Sequence, residues 1–404
     1  MKKIFFVLTV LIINAATVAQ QAVKISAQIR PRTEFDNRDF ISNTAFNNST
    51  SLRTRLNLSF IPAKDFSGFV QLQDSRFLGG ETNTTADMKN VDLHQAYFKI
   101  DNFFNLPIDV KAGRMEVAYG NERFIGAANW SYIGRSFDGI ILTVKGDNFK
   151  VDIFDFKEFE KFNLGDTLDH NILGLYSDLL VLNNYKIQPF LIWQKSVPSK
   201  LMNRFTPGIY VKGDIGAFTH EIEFAYQFGD ITASSRQQSV SAFMFALNAA
   251  YTFETAGKPT IGAGIEFFSG DDNQIDNDYK TFNTLYGTNH KFYGYMDYFT
   301  DLPAHTYGFG LIDMIGKVGI TPYENFKASL TGHIFSTNAD YKLKYNSTSK
   351  NFGTELDLVL NYKYNDNISF EGGASMFLPG EIFKEKKGSD NSTWFYLMAV
   401  VSLQ

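Results

Sequence analysis

Polar and apolar residues alternate one by one along several stretches of the chain. From Val23 to Phe35 every even-numbered residue is polar and most odd-numbered residues are apolar. This two-residue period is typical of β-strands that have one wet face and one apolar face. The same period returns in three further stretches, Ser51–Phe60, Thr219–Phe228 and Phe352–Tyr364.

The length of these stretches indicates where their apolar faces lie. A soluble sandwich or propeller turns the apolar face inward, whereas a membrane barrel turns it toward lipid. The alternating stretches run for 10 to 13 residues, and a tilted strand needs about 9–11 residues to cross a bilayer. Strands of soluble proteins average only about 5–6 residues. The pattern therefore favours an all-β transmembrane barrel.

The polar segments between the alternating stretches differ regularly in length. Short turns such as Gly146–Asp147 are interleaved with long loops such as Tyr119–Ser136. Periplasmic turns and extracellular loops produce this alternation in outer-membrane barrels. We therefore predict a single antiparallel barrel of about 18 strands, an even number, with both termini periplasmic. Further long loops are predicted at Gly79–Asn90, Gly229–Ser239 and Gly270–Ala304.

The N-terminus has the composition of a secretory signal peptide. Two lysines precede the apolar run Ile4–Ile13, and small residues follow at Ala15–Ala19. The run is shorter than the ~20 apolar residues of a spanning helix, so we expect a leader that is cleaved after Ala19. The domain prediction is a signal peptide at residues 1–19 and an outer-membrane β-barrel at residues 20–404.

Composition excludes several classes of protein. The chain has no cysteine, so disulfide bonds cannot contribute to the stability of its fold. Its 40 Phe and 20 Tyr residues favour β-sheet, and no later stretch is apolar enough for a transmembrane helix. The formal charge is −5, or −7 once Lys2 and Lys3 leave with the leader. A nucleic-acid-binding protein would instead carry a basic surface, so no nucleic-acid partner is expected.

Two segments of the chain resemble a known family. The first covers Lys111–Gly126, Asn129–Trp130 and Gly134–Gly139, with a Gly-Arg pair, then Tyr-Gly, Arg, Gly and Trp, and a closing Arg-Ser-Phe-Asp-Gly. This order is similar to the strand–loop–strand signature of the alginate export porin family. A second, looser match covers Ser269–Asp272 and residues between Thr281 and Asp297. Alternating stretches fill the space between the two.

The resemblance implies a monomeric outer-membrane barrel whose cationic lumen conducts an anionic polysaccharide outward. Its partners would be the lipid bilayer and a saccharide solute. Whether it also binds periplasmic secretion proteins is left open. No cofactor is expected. Because acids occupy several wet faces where the family is arginine-rich, both alginate and other polar saccharides stay open as solutes. These acids are Glu34, Glu221, Glu223, Glu266, Glu355, Asp357 and Glu371.

Four arginines are candidates for solute contact in the lumen. Arg30 and Arg32 lie on the wet face of one predicted strand, and Arg53 and Arg55 lie on the wet face of the next. Such residues come close across an antiparallel ladder, and clustered guanidinium groups bind carboxylates through paired hydrogen bonds. The alternative is that they neutralise Glu34 and other lumen acids as salt bridges in the wall.

The segment Tyr119–Ser136 is expected to fold into the lumen as a constriction, with Trp130 packing it against the wall. The alternative is an outside loop whose sequence pattern serves barrel closure. Whether Arg114 or Met115 faces inward is left open, because Gly113 permits a bulge that would reset the alternation. Candidates for lumen or solute contact are Arg114, Arg123 and Arg135, and candidates for the constriction or family motif are Glu116, Tyr119, Trp130 and Asp138.

Metal binding and catalysis find little support in the sequence. Asp271, Asp272 and Asp276 are weak candidates for a metal site, but they lack the central Gly and terminal Glu of a helix–loop–helix calcium site. A solvated acidic loop is the alternative. The six histidines are scattered singly without metal-ligand spacing, and no nucleophile elbow or phosphate loop occurs. We therefore expect a protein that is not an enzyme.

The function hypothesis from the sequence is an outer-membrane channel that passes an anionic or polar saccharide through a charged lumen. Export of a uronate polysaccharide is included because the family resemblance suggests it. A general uptake porin for small polar solutes is the first alternative. A non-conducting barrel that acts as an enzyme or an adhesin is the second.

Overall fold

The computed structural model describes residues 23–86, 90–160, 169–180, 182, 184–197, 201–233 and 236–403 of the chain. The predicted signal peptide and its cleavage position lie outside these residues. Within them, β-strands dominate, and no helix is long and apolar enough to cross a bilayer.

The strands follow one another along the chain with few interruptions by other elements. They are β1 Val23–Asn37, β2 Asn47–Ala63, β3 Phe66–Phe77, β4 Val91–Ile100, β5 Ile108–Met115, β6 Phe137–Lys145, β7 Phe149–Phe159, β8 Asp169–Leu179, β9 Tyr185–Val197, β10 Met202–Ile215, β11 Phe218–Ala233, β12 Arg236–Thr252, β13 Thr260–Phe268, β14 Asp278–Tyr279, β15 Leu311–Tyr323, β16 Phe326–Lys342, β17 Thr348–Lys363, β18 Ile368–Pro379 and β19 Ser392–Leu403. The helices are α1 Leu302–His305 and α2 Glu381–Lys386, with 3-10 turns at Phe103–Asn105 and Asn289–Lys291.

The long strands close into a single antiparallel barrel. Each pairs with its neighbours in sequence, and β1 also pairs with β19, where Ala27 lies opposite Leu403. Strand β14 stands apart, because its two residues run parallel to the beginning of β12. The remaining 18 strands confirm the predicted fold class, an even-numbered barrel whose first and last strands end side by side.

The faces of the barrel wall are those of a membrane protein. On β12 the apolar residues Phe243, Phe245 and Leu247 are exposed on the outside, while the intervening Met244 and Ala246 are buried inside. Outward aromatic rings of neighbouring strands also stack in rows, as in the contact of Trp193 with Phe205 and of Phe205 with Phe228, each at 5.2 Å between ring centroids. Aromatic girdles of this kind occur at membrane–water interfaces.

One predicted loop is a hairpin instead. The segment Gly229–Ser239 continues the ladder, since β11 extends to Ala233 and β12 begins at Arg236. Its residues are largely polar on both faces, so no wet and apolar faces can be told apart there. Period-two alternation identifies a strand only where one face meets lipid, and the prediction of a long loop was wrong for this reason.

Two long loops fold into the barrel and bind each other. They are the β5–β6 loop, residues 116–136, and the β13–β15 loop, residues 269–310, and together we call them the plug. The Tyr286 amide donates to the Phe124 carbonyl at 2.9 Å, and the Gly126 amide donates to the Tyr286 carbonyl at 3.0 Å. The Thr288 amide donates to the Glu122 carbonyl at 2.8 Å. The two loops thus share a short parallel pairing inside the wall.

A cluster of aromatic side chains packs the long loops against strands β17 and β18. Phe383 of α2 is fully buried and meets Phe40, Phe299, Phe352 and Phe377 at ring-centroid distances of 5.3 to 5.7 Å. Packed aromatic side chains bury large apolar areas. The cluster therefore fixes the ends of the β1–β2, β13–β15 and β18–β19 loops to one another.

Candidate functional site: two charged walls and the plug

The arginine wall consists of Arg30 and Arg32 on β1 and Arg53 and Arg55 on β2. Strict alternation places all four on the inner face, and Arg30 lies directly opposite Arg53 in the ladder. Each side chain is buried, with 4 to 6% of its surface exposed. Four guanidinium groups therefore share one small area of the lumen.

The arginine wall holds the β5–β6 loop by its backbone carbonyls. Arg30 donates to the Trp130 carbonyl at 3.3 Å and to that of Ser131 at 2.6 Å, and it also donates to Asn129. Arg32 adds a bond to Trp130 at 2.6 Å. Further donors from β2 and β3 reach the carbonyls of Asn129, Ser131, Tyr132 and Ile133: they are Arg53, Arg55, Gln73 and Ser75. Five consecutive carbonyl oxygens thus face one wall.

The arginine wall keeps an excess of positive charge. Within the described residues, two of its members have carboxylate partners: Arg32 pairs with Glu34 at 2.8 Å, and Arg55 pairs with Glu116 at 2.9 Å. Arg30 and Arg53 bond instead to neutral carbonyl and amide oxygens. A neutral acceptor orients a guanidinium without cancelling its charge, so four arginines face two carboxylates here.

The acidic wall lies on other strands, from β11 to β17. It consists of Glu223 on β11, Glu266 on β13, Asp313 on β15 and both Glu355 and Asp357 on β17, all at most 2% exposed. Their strands lie at least three places from β1 and β2 in the order of the closed barrel. Like-charged carboxylates at such burial need partners, and the plug supplies several of them.

Arg123 of the β5–β6 loop is the main cation of the acidic wall. Its Nε lies 2.6 Å from Glu223 Oε2, and its Nη1 and Nη2 lie 2.8 Å from the two Glu266 oxygens. The Tyr293 hydroxyl lies 2.8 Å from Nη1, and the guanidinium lies 4.0 Å from the Phe292 ring centroid. Burial alone would lower the pKa of Arg123, but the charges of Glu266 and Glu223, with the neighbouring Tyr293 hydroxyl, outweigh it and raise that pKa well above its usual value.

The acidic wall also accepts backbone amides of the β13–β15 loop. The Met296 amide donates to Glu355 Oε1 at 2.8 Å, and the Tyr295 amide donates to Asp357 Oδ2 at 3.4 Å. His333 of β16 adds a contact between its Nδ1 and Asp313 Oδ2 at 2.9 Å. Carboxylates that bond to backbone N–H groups make strong, charge-assisted hydrogen bonds. Both loops of the plug are therefore anchored on charged side chains.

Trp130 joins the two halves of the plug. Its ring stacks on His290 of the β13–β15 loop with 3.9 Å between centroids and 6° between planes. The Arg32 guanidinium lies 4.2 Å from the Trp130 ring centroid, a cation–π distance. Tyr396 of β19 meets the same ring edge to face at 5.0 Å.

Arg135 and Tyr119 complete the attachment of the β5–β6 loop. Arg135 donates to the Gly126 carbonyl at 3.1 Å and to the Gly287 carbonyl at 3.2 Å, so it bridges both loops. Burial lowers the pKa of Arg135. Tyr119 stacks on Tyr176 of β8 at 4.6 Å between ring centroids. These contacts attach one end of the loop to β8 and the other end to the β13–β15 loop.

Arg114 and Asp138 do not lie in the lumen. Met115 is fully buried inside, and the pairing of β5 with β4 runs without a register shift through Gly113, so Arg114 points outward. Its Nε lies 3.0 Å from Asp138 Oδ1, and the two side chains are 40% and 53% exposed. The assignment of Arg114 to the lumen and of Asp138 to the constriction was therefore wrong: both are one residue out of phase with the inner face.

The acids of the β13–β15 loop organise its backbone. Asp271 accepts the Asn273 amide at 3.1 Å, and Asp276 accepts the Asp278 amide at 2.9 Å. Asp272 is exposed and pairs with Lys280 at 3.4 Å. Among the residues that the structure describes, no group of three histidine or acidic side chains is arranged to hold a metal ion.

Two histidines at the plug were not singled out from the sequence. His94 lies at a register shift between β3 and β4 that turns both His94 and Gln95 inward, where His94 Nε2 lies 2.9 Å from Glu116. His290 stacks on Trp130. A single histidine carries no spacing signal, although His290 falls within the second family motif.

An 18-stranded barrel with an apolar outer face, a charged lumen and an internal plug defines a porin-like channel of the outer membrane. The chain belongs to the alginate export family, whose model matches residues 21–396. The family prediction from the two motifs is thereby confirmed.

Solved structures of outer-membrane Occ/Opd porins have the same fold. OccD3 (OpdP) of Pseudomonas aeruginosa superimposes with a TM-score of 0.62 at 13% identity, covering 94% of this chain and 91% of that chain. OccAB4 of Acinetobacter baumannii gives a TM-score of 0.62 at 12% identity, covering 95% and 98%. At this identity the likeness concerns the fold alone. No curated protein matches the chain.

Proposed function

We propose that this outer-membrane channel passes an anionic or polar saccharide, and that family membership favours the export of a uronate polysaccharide. The main support for this proposal is the excess positive charge of the arginine wall. Guanidinium groups bind carboxylates with paired hydrogen bonds, and a lumen wall with unbalanced positive charge lowers the free energy of an anion in a narrow pore. Arg123 and Arg135 act as anchors of the plug in this account.

Passage through the lumen would occur by transient contacts at several sites. Arg30 and Arg53 attract a carboxylate because their hydrogen-bond partners are neutral carbonyl and amide oxygens, which leave the guanidinium charge uncancelled. Several moderate contacts let a solute enter and still leave, which conduction requires. No energy source is part of this mechanism, so the solute gradient or a periplasmic partner would set the direction. We propose a single barrel as the functional unit.

A general uptake porin for small polar solutes is the second candidate. The acidic wall favours it, because five buried carboxylates face the lumen against Arg123 and His333 as their basic contacts in the described structure. Such a wall attracts cations and tolerates neutral polar solutes. The family and the structural relatives are channels, so the proposal of an enzyme or adhesin receives no further support.

Block of single channels in a planar bilayer tests the proposal. A purified channel should be blocked by an oligouronate from either side, and a neutral oligosaccharide of equal length should block more weakly. This difference isolates the carboxylate because the two probes share their size. Equal block by both probes, or none, would assign the channel to general uptake of small solutes.

A further inference from the structure

Two cavities lie on opposite sides of the plug. The upper cavity, of about 510 Å³, is lined by Arg38 of the β1–β2 loop and by Thr300 and Pro303, on the side of the long loops. The lower cavity, of about 400 Å³, is lined by Thr219 and Lys317, on the side of the short turns. Both volumes fall within the ~300–1,000 Å³ range of small-molecule sites.

His290 is the residue that lines both cavities. It sits in the 3-10 turn Asn289–Lys291 of the β13–β15 loop, and 9% of it is exposed. Its Nδ1 lies 2.8 Å from Asp297 Oδ1, and its ring stacks on Trp130. The imidazole is thus held in a fixed orientation where the two cavities approach each other.

A buried polar atom is unpaired at this position. In the described structure, His290 Nε2 is buried and has no hydrogen-bond partner, and the same holds for Oδ1 of the neighbouring Asn289. A buried polar atom without a partner is unfavourable, and native proteins rarely retain it without a reason. A passing hydroxyl or carboxyl group would supply the missing partner.

We propose that His290 forms the boundary of the permeation path, where a solute moves between the lower and the upper cavity and hydrogen-bonds to Nε2. This inference rests on the proposed function, since it requires that a solute crosses the plug. The chemical class that fits is a solute with hydroxyl or carboxyl groups. The Trp130–His290 stack must separate or shift to let it through.

Cysteine labelling tests the boundary directly, because the chain has no cysteine of its own. The variant is His290→Cys in the full-length barrel, reconstituted in vesicles and treated from one side with a bulky thiol reagent. The matched controls are Thr300→Cys in the upper cavity and Lys317→Cys in the lower cavity. Mass spectrometry measures the labelled fraction.

The expected result is labelling of position 290 from both sides. Position 300 should react from the side of the long loops, and position 317 should react from the side of the short turns. Labelling of both control positions from one side would show a route that bypasses the plug at His290. No labelling at position 290 from either side would also overturn the inference. Since labelling needs no current, these outcomes are independent of whether oligouronate blocks the channel.

Block by saccharide measures the hydrogen bond itself. We expect His290→Ala to weaken block by about tenfold, the size of one lost hydrogen bond. His290→Asn, which keeps a polar side chain, should restore part of the block. His305→Ala is the matched control, because His305 lies on the same loop and bonds to the Asp301 amide at 3.1 Å. Equal effects of His290→Ala and His305→Ala would contradict the proposed contact.

Discussion

The arginine wall and the acidic wall anchor the same plug by opposite means. The arginine wall donates to four backbone carbonyls of the β5–β6 loop, and Ser75 of β3 donates to a fifth. The acidic wall accepts the guanidinium of Arg123 and the amides of Met296 and Tyr295. The first set of partners is mostly neutral, whereas the second includes a full charge.

Because of this difference, the two walls contribute differently to the anchoring of the plug and to the ion selectivity of the lumen. A guanidinium bonded to a neutral carbonyl keeps its charge available to a solute, whereas Glu223 and Glu266 share the charge of Arg123 and are partly neutralised by it. The arginine wall can therefore hold the loop and attract an anion at once. The acidic wall mainly stabilises the folded plug. Variants of the two walls should differ in which property they change.

The largest expected effect is that of Arg123→Met. Removal of this cation leaves Glu223 and Glu266 buried without their partner, and loss of one member of a buried ion pair destabilises by about 3–5 kcal/mol. The free energy of unfolding in urea should fall by this amount, and the channel should show larger, noisier currents as the plug loosens. Urea titration of the reconstituted barrel measures the first effect.

A triple variant serves as the control for Arg123. Arg123→Met combined with Glu223→Gln and Glu266→Gln removes the charges together, so most of the stability should return. If the single and triple variants were equally unstable, packing of the Arg123 side chain rather than its charge would account for the loss.

A smaller effect is expected for Arg30→Gln in the arginine wall. The shorter amide cannot reach the carbonyls of Asn129, Trp130 and Ser131 together. Because Arg32 and Arg53 still donate to these carbonyls, the net loss should be that of one hydrogen bond to a charged group, about 1.5–3 kcal/mol. Amide hydrogen exchange in residues 128–135 should become faster, while the barrel strands stay protected. Unchanged exchange in this segment would show that Arg30 is not needed to hold the loop.

Glu355→Gln should have a still smaller effect on the acidic wall. Glutamine retains an oxygen that accepts the Met296 amide, and it removes one of two carboxylates that stand close together on β17. We expect a change in stability of about 1 kcal/mol or less and a slight shift of ion preference toward anions. Glu324→Gln, in an exposed short turn, is the control for the charge change. A shift toward cations would contradict the placement of Glu355 at the lumen.

The smallest effect is expected outside the lumen. Arg114→Ala with Asp138→Ala removes an exposed ion pair, and such pairs contribute about 0.2–1 kcal/mol. Ion selectivity should not change, because both side chains point away from the pore. Reversal potentials of this variant and the wild type should coincide. A clear difference would place Arg114 on the inner face after all.

Local sequence pattern predicted the barrel and the inward direction of its arginines. Arg30, Arg32, Arg53 and Arg55 face the lumen because strict alternation allows no other arrangement once the apolar face meets lipid. The same rule failed for Arg114, where the glycine-rich motif left the phase open. It also failed at the hairpin Gly229–Ser239, where both strand faces are wet.

The partners of the plug could not be predicted from the sequence. Arg123 meets Glu223 and Glu266, which are 100 and 143 residues away, and no periodic pattern relates a loop residue to a strand across the lumen. His94 turns inward at a register shift in β4 that a single sequence does not reveal. Such contacts depend on how the loops fold inside the finished barrel.

The reversal potential in a salt gradient tests the central claim most directly, because it measures the charge that the lumen presents to a moving ion. The arginine wall should make the wild-type channel prefer anions, and Arg53→Ala with Arg55→Ala should reduce that preference while the barrel stays folded. A wild-type channel that prefers cations, or a double variant with unchanged preference, would show that the arginine wall only anchors the plug.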